Sequence, residues 1–128
     1  MELFFSALAD MTRLRLLNLI GNQEVCVCYF VEILQTSQPK VSRHLAYLRR
    51  AGLVSSRRVA KWVHYRIVVP ADPDAAHLFG EVRKWLAKDP AMKREHKQLV
   101  KVCCAPDPPP LLQGAPRPTA VCGQSSTC

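Results

Sequence analysis

A mainly α-helical fold carrying one β-hairpin is predicted by three features of this 128-residue chain. Apolar residues recur at helical spacing through most of its first hundred positions. Residues that start and stop helices stand between those runs: Asp10 and Ser37 as starts, Gly21-Asn22 and Gly52 as stops. A single stretch, 53–69, is instead rich in β-branched and aromatic residues and is broken once near its middle.

Taken in order, residues 3–9 form a short apolar helix, and Asp10 caps a second helix over 12–20 with Leu14, Leu17, Leu19 and Ile20 turned inward. A third helix is expected over 26–34, with Phe30, Ile33 and Leu34 as its buried stripe. Thr36-Ser37 then turns the chain into a fourth. Ser37 caps it, and Pro39 sits in its first turn, where a missing N–H costs nothing. Val41, Leu45 and Leu48 share one face; Lys40, Ser42, Arg43, Arg49 and Arg50 lie elsewhere. The third and fourth helices together read as a helix-turn-helix.

Residues 53–58 and 62–69 pair as a hairpin around Val59-Ala60-Lys61. A hairpin directly after a recognition helix is a wing, so the predicted architecture is a winged helix-turn-helix. Pro70 and Pro73 end the wing. The run 74–87 is amphipathic, with Leu78, Val82, Trp85 and Leu86 on one side, and Asp89-Pro90 starts a last helix reaching about residue 102. These helices, with the first, hold more apolar surface than a small winged helix buries alone, which predicts a homodimer. Six of the ten prolines fall between Pro106 and Pro118, so the chain divides into a DNA-binding and dimerisation domain, 1–104, and a disordered Pro-rich, Cys-containing tail, 105–128.

The formal charge of +8 attracts polyanions, nucleic acid first among them, although a merely soluble basic protein would carry the same charge. No secretion signal or membrane-length apolar run is seen, so a cytoplasmic protein with no membrane partner is expected. In that compartment thiols stay reduced. Six cysteines, clustered as Cys26/Cys28, Cys103/Cys104, Cys122 and Cys128, then suggest metal or metalloid binding rather than a disulfide framework. Cys26 and Cys28 stand about nine residues before the recognition helix. An ion held there can tilt that helix, which is the layout a sensor needs.

For DNA, Ser37, Gln38, Lys40, Ser42 and Arg43 occupy the early turns of the helix that enters the major groove. Gln and Arg suit base edges; Ser and Lys suit phosphates. Arg57, Arg58 and Lys61 on the wing fit backbone or minor-groove contacts. An enzyme is the rival class, but the chain has no Cys-x-x-Cys, nucleotide motif or phosphate loop, and the expectation is that it is not one.

The pieces Leu8-Ala-Asp-Met-Thr-Arg-Leu-Arg-Leu-Leu17, Glu24-Val-Cys-Val-Cys28, Ser37-Gln-Pro-Lys-Val-Ser-Arg-His-Leu45, Leu48-Arg-Arg-Ala-Gly-Leu53 and Lys61-Trp-Val-His-Tyr-Arg66 together resemble the ArsR/SmtB family, and within it the arsenical resistance operon repressors. The resemblance spans roughly residues 3–100. It implies a homodimeric repressor that binds operator double-stranded DNA with no cofactor and releases it on binding trivalent arsenic (arsenite or methylarsenite) or antimonite. The third cysteine common in the arsenical branch is Val31 here, and the usual wing-tip glycine is Ala60.

Such metalloids are soft centres that favour thiolates. Cys26, Cys28, Cys103 and Cys104 are the candidate ligands, either as two pairs that cooperate or as separate sites for a methylated arsenical, whose carbon fills one valence. The alternatives are buried small hydrophobes for the first pair and an incidental terminal pair for the second. Zinc or cadmium sensing and thiol redox sensing are the rival readings within the same fold. Against zinc, His44, His64, His77 and His96 are scattered. A thiol-based arsenical enzyme is the remaining alternative.

Overall fold

The computed structural model describes residues 1–103, 112 and 114–116. The elements run α1 (Glu2–Leu8), α2 (Met11–Ile20), β1 (Val25–Cys26), α3 (Val27–Leu34), α4 (Gln38–Arg50), β2 (Val54–Val59), β3 (Trp62–Ile67), α5 (Pro73–Lys88) and α6 (Pro90–Cys103). The predicted class, mainly helical with a β-hairpin in winged helix-turn-helix order, is what forms.

The helix ends follow local chemistry. Asp10 accepts from the Arg13 N–H at 3.1 Å and caps α2; Gly21, with φ +57°, ends it. Ser37 caps α4 through the Lys40 N–H, and Gly52 turns the chain out at φ +77°. Asp72 and Asp89 do the same for α5 and α6, accepting from Ala75 at 2.9 Å and Met92 at 3.0 Å. At the wing tip Ala60 holds φ +54°, a left-handed conformation that a glycine would adopt without strain.

One element differs from expectation. The third helix was expected from residue 26, but Cys26 belongs to a two-residue strand and α3 starts at Val27. The strand β1 pairs antiparallel with β3, Val25 opposite Tyr65 and Cys26 opposite His64, so the sheet has three strands in the order β1-β3-β2. The hydrogen-bonding edge of β3 that the hairpin leaves open is what captures residues 25 and 26 in extended form.

Leu16, Leu17, Leu19 and Ile20 of α2 pack with Phe30 of α3, Val41, Leu45 and Leu48 of α4, Phe79 of α5 and Leu99 of α6. The last helix lies back across α2, α3 and α5. It is tied there by three hydrogen bonds from Arg15 to Glu95 (Nε to Oε2 at 3.0 Å among them) and by Asn18 Nδ2 donating to the Met92 carbonyl at 2.9 Å. Burial outweighs these ties. A fully buried leucine contributes about 1.5–3 kcal/mol, more than an ion pair whose arginine remains one-third exposed.

The apolar side of α5 is split. Phe79 and Leu86 point inward, while Leu78 and Trp85 are exposed, Trp85 at 71%. With Phe4, Phe5, Leu8 and Val82 they line an open groove of about 560 Å³. Among the described residues no helix is long and apolar enough to cross a membrane.

Of the segment expected to be a disordered tail, the described residues include Leu112, which is buried in the same core, and Ala115, which packs on it. Gly114 lies beside the Trp62 ring of the wing. Leu112→Ala is therefore expected to cost about 2–4 kcal/mol, within the usual range for a buried leucine. Urea unfolding of the full chain checks this; a loss below about 0.5 kcal/mol, ordinary for a surface position, would show that Leu112 does not pack on the core in solution.

Candidate nucleic-acid interface and thiol site

The positive surface is built on α4 and the wing. Gln38, Lys40 and Arg43 are exposed on the first turns of α4, Ser42 is half-buried, and Arg49 and Arg50 follow near its end. Ser37 is exposed, but its hydroxyl accepts from the Lys40 amide at 3.4 Å as the helix cap, so part of its hydrogen-bonding capacity is already used. The helix is held from behind. Arg13 of α2 approaches His44 Nδ1 at 3.3 Å and stacks 4.2 Å from the Tyr47 ring, while its other N–H groups donate to the carbonyls of Ala7 and Ser6. His44 thus faces α2 and positions the recognition helix.

On the wing, Arg58 Nε donates to the Ala60 carbonyl at 3.2 Å and Lys61 lies over the Trp62 ring at 5.0 Å. Both remain exposed. Arg57 is engaged: its Nε donates to Glu24 Oε2 at 3.0 Å and its Nη2 to Glu24 Oε1. Arg49 joins α4 to the wing by donating to Ser56 Oγ at 3.1 Å. Glu24, Arg49, His64 and Arg66 had no assigned role from the sequence. Glu24 stands in the same short motif as the thiols, but nothing in its spacing shows that the wing folds back onto it.

The thiol pair sits where β1 becomes α3. Cys26 is the N-cap residue of that helix and Cys28 lies in its first turn. Both are buried, and Cys28 Sγ lies 3.1 Å from Cys26 Sγ as a hydrogen-bond donor. That hydrogen bond is the largest influence lowering the Cys26 thiol from its ordinary value of 9.0 to about 7; the backbone N–H groups of Cys28, Val63 and Val27 act in the same direction, against the cost of burial. Cys28, as the donor beside a thiolate, is pushed well above the ordinary range, first by its bond to Cys26 and then by burial. Above about pH 7 one proton is thus shared between two sulfurs at the positive end of a helix.

Cys103 is buried in the last turn of α6; Cys104, Cys122 and Cys128 lie outside the described residues. Among the described residues no three His, Cys, Asp or Glu side chains group to hold a metal ion, so Cys103 is not gathered with Cys26 and Cys28 into one three-ligand set. His64 is buried on the strand facing Cys26. What this arrangement offers chemically is a two-sulfur clamp, with one member ready as a nucleophile near neutral pH.

A family model described as bacterial regulatory protein, arsR family, matches residues 10–56, which hold α2, the thiol pair, the helix-turn-helix and the start of β2. The chain is 47% identical over 91 residues to the arsenic resistance transcriptional regulator ArsR1 of Pseudomonas putida, covering 66% of this chain and 70% of that protein. It is 38% identical over 104 residues to the arsenical resistance operon repressor of Escherichia coli, covering 80% and 87%. Among solved structures, HlyU from Vibrio cholerae matches with a TM-score of 0.56 at 28% identity, over 66% of this chain and 88% of that one.

The asymmetry of the two thiols is directly measurable. Far-ultraviolet thiolate absorbance should show one sulfur ionising with a midpoint near pH 7, and Cys26→Ser should remove that step. A folded value below the unfolded one makes the fold more stable as pH rises from 7 towards 9, and that gain is lost as pH falls through 7. A wild-type titration with no thiol midpoint below its ordinary value of 9.0 would exclude the hydrogen-bonded pair.

Proposed function

Because the chain belongs to the ArsR family of bacterial regulatory proteins, whose members are DNA-binding transcriptional repressors, we propose that this repressor leaves its operator when Cys26 and Cys28 bind a trivalent arsenical or antimonite. The observation that carries the reading is the 3.1 Å sulfur pair at the start of α3. It joins a soft, partly ionised ligand set to the first helix of the helix-turn-helix. Two sulfurs match a monomethyl arsenical, which has two exchangeable positions. With arsenous acid, each As–S bond displaces one hydroxide, which leaves as water with the thiol proton, and the third oxygen stays on arsenic unless another thiol replaces it. Cys103, in the last turn of α6, and Cys104, the next residue in sequence, are the second thiol pair this reading assigns.

Recognition is assigned to Ser37, Gln38, Lys40, Ser42 and Arg43 on α4, and backbone or minor-groove contacts to Arg57, Arg58 and Lys61 on the wing. The repressor needs no cofactor to bind DNA, and inducer and DNA binding are reciprocally coupled. In a retardation assay with the chain's own upstream DNA, arsenite or antimonite should release wild-type protein, whereas Cys26→Ser/Cys28→Ser should bind DNA normally and resist release. Arg43→Ala should weaken operator binding by about 1–3 kcal/mol if it reads a base, and Lys40→Ala should weaken binding more evenly across sequences. Release of the double thiol variant at wild-type metalloid concentrations would overturn the assignment. One second reading has its own support: sulfurs 3.1 Å apart with one thiolate also suit oxidation to a disulfide. Release by peroxide but not by arsenite would select it.

The working unit is a homodimer. Trp85 and Leu78, exposed along a groove shared by α1 and α5, form an apolar face that another copy of the chain covers, and a two-fold arrangement presents two recognition helices to one duplex. Sedimentation at micromolar concentration should give a dimer, and Trp85→Glu should shift it to monomer; a monomeric wild type would exclude this interface.

A further inference from the structure

The surface assigned to DNA is cationic without interruption in sequence: from Ile33 to Ala71 the chain has Lys and Arg but no Asp or Glu. The acid that meets the wing is brought from outside this stretch. Glu24, the residue before β1, places both carboxylate oxygens on the guanidinium of Arg57, with Nε–Oε2 at 3.0 Å and a second bond from Nη2. Arg66 adds positive charge around the same carboxylate, which the Arg57 hydrogen bonds hold below the usual glutamate range. A fork of two N–H groups matches a carboxylate and a DNA phosphate equally well. Arg57 cannot give that fork to both.

Glu24 immediately precedes the strand that carries the thiol. The sheet sets Cys26 opposite His64, and His64 opposite Arg57, in one row across its three strands. Glu24 precedes Cys26 by two residues, the spacing that puts side chains of extended backbone on one face. The carboxylate and the sulfur therefore lie two residues apart on one short segment that leads into and includes β1.

We propose that Glu24 is an internal stand-in for a DNA phosphate, which occupies Arg57 in the unbound repressor, must be displaced for Arg57 to contact the backbone, and ties that contact to the position of β1. A surface pair of this kind is weak. Phosphate contact with counterion release is stronger. DNA therefore wins the competition, and the pair lowers operator affinity without abolishing it. Fixing both sulfurs fixes β1 and favours the paired arrangement; this second half rests on the reading of Cys26 and Cys28 as the inducer site.

The test is a double-mutant cycle on operator binding without metalloid, using wild type, Glu24→Gln, Arg57→Gln and the double variant across a salt series. Glu24→Gln should bind about two- to tenfold tighter, and its salt dependence should steepen by roughly one phosphate contact. In the Arg57→Gln background the same change should do nothing. Tightening that persists without Arg57 means general loss of negative charge, and absence of tightening means no competition; either overturns the proposal. Glu24→Ala with a thermal melt guards against a folding defect of the glutamine variant. In a second arm, Glu24→Gln should need several times more arsenite for half-release, and an unchanged midpoint would remove the link to β1. If arsenite does not release wild type at all, the inducer assignment fails, while the metalloid-free cycle still decides the role of Glu24.

Discussion

Two residues of antiparallel pairing, Val25 with Tyr65 and Cys26 with His64, determine how the thiols and the wing sit relative to each other. Without that bridge, the loop after α2 would lead directly into α3, and the sulfurs would belong to the helix-turn-helix alone. With it, the residue that caps α3 is also an edge residue of the wing sheet. Any ligand that reorients Cys26 has to strain the first turn of α3 or the β1–β3 pairing, and both lead to elements assigned to DNA. The burial of Cys26 and Cys28 makes this coupling stiff, because close-packed surroundings have discrete arrangements rather than a continuum of small adjustments.

The electrostatics of the pair follow from the same placement. A capping position exposes the Cys26 sulfur to the amides of the first helical turn, and the bridge adds the Val63 amide from β3. Donors of this kind favour the thiolate, which is the form that bonds soft centres. Burial acts the other way, and the S–H of Cys28 wins against it by donating to Cys26. Above about pH 7 the outcome is one thiolate and one thiol, not two thiolates. That division suits a reversible sensor: two buried negative charges in contact would destabilise the fold, whereas two neutral thiols would react slowly.

Much of this was legible in the sequence where a residue's chemistry is local. Asp10, Ser37, Gly21 and Gly52 act at the ends of α2 and α4 as their side chains, or the lack of one, dictate. Val41, Leu45 and Leu48 form a buried face because helical geometry alone groups them. What was hidden depends on partners distant in sequence. A two-residue strand has no periodicity to read, so Cys26 was expected inside a helix. Leu78 and Trp85 share the apolar side of α5 by spacing, but the core has room only for Phe79 and Leu86. Arg57 looked like any wing cation; its engagement with Glu24, 33 positions away, requires the folded sheet.

The pairing of Arg57 illustrates how a weak interaction acquires consequence through position. Exposed ion pairs contribute about 0–1 kcal/mol to stability, so the fold itself gains little from this one. Operator binding is a difference between two states, however, and a group that must be released in one of them enters that difference in full. The other wing cations do not carry this cost: Arg58 donates to a carbonyl of its own turn, and Lys61 rests on Trp62 with its charge still available to solvent. Of the three wing cations assigned to DNA, then, the one joined to the thiol-bearing segment is the one held by a carboxylate. A strong buried pair at that place would lock the wing. A pair of marginal strength leaves DNA able to displace it and leaves β1 able to bias the outcome.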